Sequence, residues 1–146
     1  MTEVHGEFQL LLGDWQALAE RARPVRMKVF VEEQGVPPEL ECDAYDAVSR
    51  HAVAVDRHGV AIGTGRLLPD GHIGRMAVLA PWRRQGVGSA LLESLMAQAR
   101  AQGMVELALN AQIDAQGFYR RFGFAPVGDE FMEAGIAHQA MSRTLP

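Results

Sequence analysis

The sequence predicts a mixed α/β fold, with a central β-sheet of about seven strands flanked by about four helices, and three stretches carry that prediction. In Ile73-Gly-Arg-Met-Ala-Val-Leu-Ala-Pro-Trp-Arg-Arg-Gln-Gly-Val-Gly-Ser-Ala-Leu-Leu92, a short apolar strand runs through a glycine loop into a helix. Ala52 to Asp56 and Val60 to Leu68 are β-like runs joined by Arg57-His-Gly59, which is hairpin turn chemistry. A strand pattern over Val105 to Gln112 is then followed by a short helix and two further strand-like runs. The resulting order is β-α-α-β-β-β-α-β-α-β-β.

Taken in order, Phe8 to Leu12 reads as the first strand, and Asp14 as the N-cap of a helix through Trp15, Leu18 and Ala19. Pro24 then interrupts, because proline inside a helix costs about 3 kcal/mol; the chain either kinks there or starts a fresh helix carrying Val25 to Val31. Gly35 opens a loop, and Glu41, Asp43 and Asp46 make the next stretch acidic and exposed. Pro69-Asp70-Gly71 is a second turn, so strands two, three and four form a meander. Pro81 ends the apolar strand Met76 to Leu79. From Gly86 the period becomes helical, with Val87, Leu91, Leu92, Leu95 and Met96 on one stripe, and Gly103 stops it. A strand reached through a helix that long lies parallel to the one before it, which fixes the direction of residues 105–112. Residues 113–122 form a short helix, Phe124 to Phe131 a strand, and Ile136 to Thr144 the last strand.

Composition narrows the class of protein. A chain of 146 residues is expected to fold as one domain spanning 1–146, burying roughly two-thirds of its unfolded surface. Net charge of −4, with Lys28 the sole lysine, argues against non-specific nucleic-acid binding. Cys42 is the single cysteine, and the N-terminus carries Glu3, His5 and Glu7 before any apolar run, so no disulfide, signal peptide or membrane span is expected and the cytoplasm is the default compartment. His51, His58 and His72 show no metal-ligand spacing, and no metal site is expected.

The glycine loop is an anion-binding build: Gly86 and Gly88 let backbone N–H groups turn toward a ligand, and the helix N-terminus adds about half a positive charge. It fails the Walker pattern, since Gly88 is followed by Ser89 with no lysine, and it fails the dinucleotide fingerprint, since Leu91 stands where a third glycine is needed. What remains, Arg83-x-x-Gly86-x-Gly88 behind an apolar strand, resembles the acyl-CoA-binding motif of the GNAT (GCN5-related) N-acetyltransferases. Ala115-Gln-Gly-Phe118-Tyr119-Arg-Arg-Phe122-Gly123-Phe124 resembles that family's second signature. Arg26-Met-Lys-Val-Phe-Val-Glu-Glu-Gln-Gly-Val-Pro37 and Glu133-x-Gly135-Ile136-x-His138-x-x-Met141 resemble its ElaA-like and YjcF-like bacterial subgroup.

The resemblance implies an acetyl-CoA cofactor, its pantetheine inserted where strands four and five part at a bulge beside the backbone of Met76, Ala77 and Val78. It implies a pyrophosphate held by Arg84, Gln85, Gly86, Val87, Gly88 and Ser89, with Arg83 or Arg84 near a phosphate, and Asn110, Phe118 and Tyr119 beside the pantetheine arm. The implied reaction is acetyl transfer to an amine of a small molecule. Such transfer needs a polarised carbonyl, a proton for the leaving thiolate and a free amine. A backbone N–H near Val78 suits the first and Tyr119 the second. His138 suits the third, as general base or substrate ligand, because imidazole titrates near neutrality.

Glu33 is a rival base, and Glu33-Gln34 lies in the stretch that closes over the acceptor in GNAT folds. Arg26 and Arg75 are further acceptor contacts, although Arg75 can equally pair with Asp43 or Asp46. Arg120 and Arg121 read as solvated, Trp82 as a rim hydrophobe and Cys42 as incidental. An alternative function is a catalytically silent acyl-CoA-binding module on the same fold, and a homodimer is possible, as in other members of the family.

Overall fold

The structure, a computed structural model, describes residues 2–146. Its described strands form one sheet in the order β1-β2-β3-β4-β5-β6-β9-β7, with β8 paired to β9. The strands are β1 (Thr2–His5), β2 (Phe8–Gly13), β3 (Arg50–Asp56), β4 (Ala61–Leu67), β5 (His72–Val78), β6 (Glu106–Gln112), β7 (Ala125–Pro126), β8 (Phe131–Glu133) and β9 (Ile136–Thr144). The helices are α1 (Trp15–Arg26), α2 (Pro38–Glu41), α3 (Val87–Ala101) and α4 (Gln116–Arg120). The β2-β3-β4-β5 meander is antiparallel throughout, and β5 pairs β6 in parallel, as the intervening helix requires.

β3 is buried on both faces, which is why it reads as an unbroken apolar run. Ala52 and Ala54 face the main core, where Leu91, Leu92 and Leu95 of α3 pack on Ile62 and Leu67 of β4 and on Leu107 of β6. Val53 and Val55 face the other way, toward Leu18 and Ala22 of α1. Fully burying each such aliphatic side chain contributes about 1.5–3 kcal/mol.

Four elements depart from the sequence pattern. A strand the pattern does not announce, β1, adds to the edge of β2 with Val4 exposed, so no apolar alternation marks it. Pro24 neither breaks α1 nor restarts it. The helix runs on to Arg26 and widens into a π-helical turn over Met27–Glu33, with Val25 and Val29 packed on Ala77, so tertiary burial outweighs the local cost of proline. Residues 38–41 are helical rather than loop. The strand expected over 124–131 is two short pieces, because Pro126 has no N–H and Gly128 turns at φ 71°.

Candidate functional site

β5 and β6 pair only at His72↔Ala108 and Ile73↔Leu109, and beyond these the two strands separate. On the other side of β5 the register with β4 shifts between Thr64 and Arg66, so Arg75 and Met76 bulge opposite Gly65. Arg75 takes φ 52°, a left-handed conformation costly for a residue with a Cβ. Gly65 makes room for the bulge, since a Cβ there would lie 2.5 Å from Met76 Sδ. Past the bulge, Leu79 N–H bonds Ile62 O on β4, so alternation turns both backbone groups of Val78 away from β4 and into the opening.

A cavity of about 420 Å³ lies at one end of this opening, lined by Met76, Ala77, Val78, Arg83, Arg84, Gly86, Gly88, Ser89, Phe118 and Tyr119 among others. Arg84 at φ 63° and Gly86 at φ 85° bend the loop, and α3 begins without a side-chain cap, so the N–H groups of its first turn are free for an anion. These residues fit a pyrophosphate.

Of the expected cofactor set, three residues do not line this cavity, and two of them turn their side chains elsewhere: Gln85 Nε2 donates to Pro81 O at 2.8 Å, and Val87 is 1% exposed in the core. Only their backbone remains available. Asn110 lines the neighbouring cavity instead. Arg83 donates through Nε to Val78 O at 2.9 Å and through Nη2 to Glu33 Oε1 at 2.7 Å, so two residues expected to contact different ligands hold each other. Arg121, read from sequence as solvated, lines the cavity with its guanidinium over the Phe118 ring.

A second cavity, of about 550 Å³, opens on the other side of Met76, Ala115 and Tyr119, which line both. Burial pushes the Tyr119 phenol up to about 12, so its proton is retained at any physiological pH. His138 is 7% exposed and stands between Gln112 on β6 and Phe131 on β8, with its ring stacked on Phe131. Its Nδ1 lies 2.7 Å from Ile136 O. A carbonyl can only accept, so Nδ1 carries the hydrogen and Nε2 of the neutral ring keeps its lone pair. Nε2 lies 3.7 Å from Glu133 Oε2, a diagonal neighbour across a two-residue turn in which Ala134 and Gly135 both have positive φ. Gln34 and Gln112 exchange amide hydrogen bonds at 2.8 and 3.4 Å over the same cavity.

The acidic stretch expected to be exposed is instead folded inward. Glu41 and Asp46 are each 2% exposed, because three arginines meet the three carboxylates. Arg26 is 1% exposed; it bonds Glu41 through Nε and Nη2, and Asp46 through Nη1 and Nη2 at 2.8 and 3.0 Å, with the Trp15 ring over its guanidinium. It has nothing left for a substrate, and the expectation that it contacts the acceptor is corrected. Arg66 takes both oxygens of Asp43 at 2.6 and 2.9 Å and shares Asp46 Oδ1. Arg75 does pair with Asp43, at 3.2 Å, and also donates to the carbonyls of Glu41 and Leu40, tying the bulge to α2. Burial opposes the charge on Asp46, but Arg26 and Arg66 outweigh it and hold that carboxyl below the usual range. Cys42 is exposed, and desolvation with the Glu41 carboxylate pushes its thiol up, away from nucleophilic use.

Sequence reasoning missed Glu133 and Gln112 as site residues. Glu133 was visible only as a letter of a subgroup pattern, and Gln112 had no local signal, since its partner Gln34 is 78 positions away.

A sheet parted between two parallel strands, with an uncapped helix end on one side and a half-buried tyrosine between two cavities, is the architecture of an acyl-CoA N-acyltransferase. The family model for the Acetyltransferase (GNAT) domain matches residues 18–145. A Bacillus subtilis protein named as an uncharacterized N-acetyltransferase, YjcF, is 37% identical over 123 residues, 82% of this chain and 87% of that one. The crystal structure of an acyl-CoA N-acyltransferase from Pseudomonas aeruginosa superposes with a TM-score of 0.82 at 31% identity, covering 93% of this chain and 99% of the other. Escherichia coli ElaA gives 0.83 at 26%, covering 92% and 98%. The chain belongs to the GNAT family and is an acetyltransferase, on a fold whose members bind acyl-CoA. No helix among the described residues is long and apolar enough to cross a membrane.

Proposed function

We propose that the protein, folded as a single domain, transfers an acetyl group from acetyl-CoA directly to an amine of a small molecule. The observation that carries this reading is the meeting of the two cavities at Met76, Ala115 and Tyr119, which gives a donor and an acceptor a shared wall and one proton donor between them. When bound, the cofactor supplies an acyl thioester. The first-turn N–H groups of α3, with Arg84, would hold its pyrophosphate, and the parted edge of β5 at Met76 to Val78 would hold its arm. The Val78 N–H faces the opening and polarises a carbonyl placed there. Tyr119 Oη keeps a proton for the departing sulfur, and His138 Nε2 receives one from the acceptor nitrogen.

Titration calorimetry with acetyl-CoA is expected to give micromolar binding, about −8 kcal/mol. Thiol release with an amine panel then reads turnover. Tyr119→Phe and His138→Ala are each expected to lower kcat by on the order of 10²-fold with cofactor affinity within about twofold of wild type. No binding by the folded protein would remove the reading. Binding without turnover on any amine would leave the silent acyl-CoA-binding module.

A further inference from the structure

We infer that the acceptor carries an anionic group as well as its amine, an apolar amino acid being the chemical class, with the amine held between His138 and Glu133 and the carboxylate at Arg75. The inference rests on the acetyltransferase reading of this cavity and adds what the cavity selects.

Six charged side chains surround the cavity floor, and most are spent on one another. Arg26 holds Glu41 and Asp46, and Arg66 holds both oxygens of Asp43 and one of Asp46. Arg75 is left with a share of Asp43 Oδ2, already bonded to Arg66, and with two backbone carbonyls. Its Nη1 has no bond among the described residues. Burial, and then the neighbouring Arg66 cation, make the Arg75 charge harder to keep than an ordinary arginine's, and an anion would relieve that. Arg75 also sits in a strained backbone conformation at the bulge, facing the cavity rather than the sheet pairing.

On the wall of the same cavity, Glu133 is half-exposed, and its one partner among the described residues is His138, at 3.7 Å. That gap is too long for a direct hydrogen bond, and both atoms are acceptors, so a single ammonium can bond both. The cavity wall thus carries an arginine with an unbonded Nη1 and a shared counter-ion, and a carboxylate with no arginine or lysine partner among the described residues. Leu40 and Tyr45, exposed at 54% and 57% on its rim, offer an apolar wall for the remainder of the molecule.

The test compares matched pairs that differ only by the carboxylate, L-leucine against 3-methylbutylamine and L-phenylalanine against 2-phenylethylamine. Binding is measured to the wild-type protein loaded with coenzyme A. The amino acid of each pair is expected to bind about tenfold or more tightly, the size of one charge-assisted contact, and Arg75→Gln to bring the ratio to about one while coenzyme A affinity holds. Glu133→Gln should weaken both members of a pair alike. Equal or tighter binding of the amines, or binding of neither class, overturns the inference. The wild-type comparison decides even where Arg75→Gln does not fold. Thiol release is read separately: amino acids that bind without releasing thiol would remove acetyl transfer and leave the ligand class standing.

Discussion

The two cavities that meet at Tyr119 are built in opposite ways. The proposed cofactor side is made of one contiguous stretch, Met76 to Ser89, plus Ala115, Phe118, Tyr119 and Arg121, and its chemistry is mostly backbone: a parted strand edge and an uncapped helix end. The proposed acceptor side is lined by side chains of separated segments, 30–45, 66–76, 110–119 and 133–138, and rests on the buried charges of Arg26, Glu41 and Asp46. Backbone devices depend on local sequence and can be shared widely. Side-chain networks depend on which distant residues meet, and they are where one chain of this fold can differ from another.

The largest effect should come from breaking the acceptor-side network. Arg26→Leu leaves Glu41 and Asp46 buried without their main cation, and is expected to cost about 3–5 kcal/mol of stability in urea unfolding. Coenzyme A affinity of the folded fraction should stay as it was. A loss under about 1 kcal/mol would mean that the carboxylates find water or Arg66 instead, and that the network does not hold the acceptor wall.

Gly86→Glu attacks the other side. No atom lies within 4 Å of a Cβ placed there, so the cost to folding is the positive φ alone, about 1–2 kcal/mol. A carboxylate in the mouth of the phosphate loop should lower acetyl-CoA affinity by about 100-fold, or about 2.7 kcal/mol. Unchanged affinity would move the phosphate site away from the start of α3.

This division also explains what could be read from sequence. The order of the main strands and helices and the glycine turn into α3 were legible, because strand periodicity, the glycines and the stripe from Val87 to Met96 are local signals. Tyr119 was reached through a contiguous motif. Arg26 was misjudged as a ligand and Glu41 and Asp46 as exposed, because nothing in a list of residues says that arginines at 26 and 66 fold onto carboxylates at 41, 43 and 46. Glu133 became a site residue only when the Ala134–Gly135 turn set it diagonally across from His138. Pro24 inside α1 shows the same limit, since a local penalty was outweighed by burial against Ala77 in a distant strand.

His51 offers a milder probe of the acceptor side. It is buried beneath the network, with Nε2 2.9 Å from Asp46 O and the ring against Trp15, and burial lowers its pKa below the ordinary value. The folded protein therefore resists a proton that the unfolded chain accepts. Stability is fully present above about pH 6.5 and is lost as pH falls toward the depressed value, at about 1.4 kcal/mol per unit of pH at most. The Asp46 carboxyl, held low, adds its own loss only below about pH 4. Melting temperatures between pH 7 and 5 should fall in wild type and flatten in His51→Asn. An equal fall in both would place the titrating group elsewhere.

The smallest effect belongs to the exposed ion pair between Arg83 and Glu33, a residue expected at the acceptor site that lines neither cavity. Arg83 and Glu33 are about 40% exposed, so their pairing is worth at most about 1 kcal/mol to the folded protein. Its interest lies in competition, because Arg83 also lines the cavity at the start of α3 and donates to the Val78 carbonyl at the parted edge. If an incoming phosphate draws Arg83 away, Glu33 loses its partner, and the pair opposes cofactor binding in the free state. Glu33→Gln should then raise acetyl-CoA affinity by about twofold to fivefold at low salt, with the gain shrinking at 0.5 M salt as screening weakens the original pair. A loss of affinity would reverse the inference, since Glu33 would then be holding Arg83 in the pose that receives the phosphate. The sign of this small change decides whether Glu33 competes with the phosphate for Arg83 or holds Arg83 in place for it.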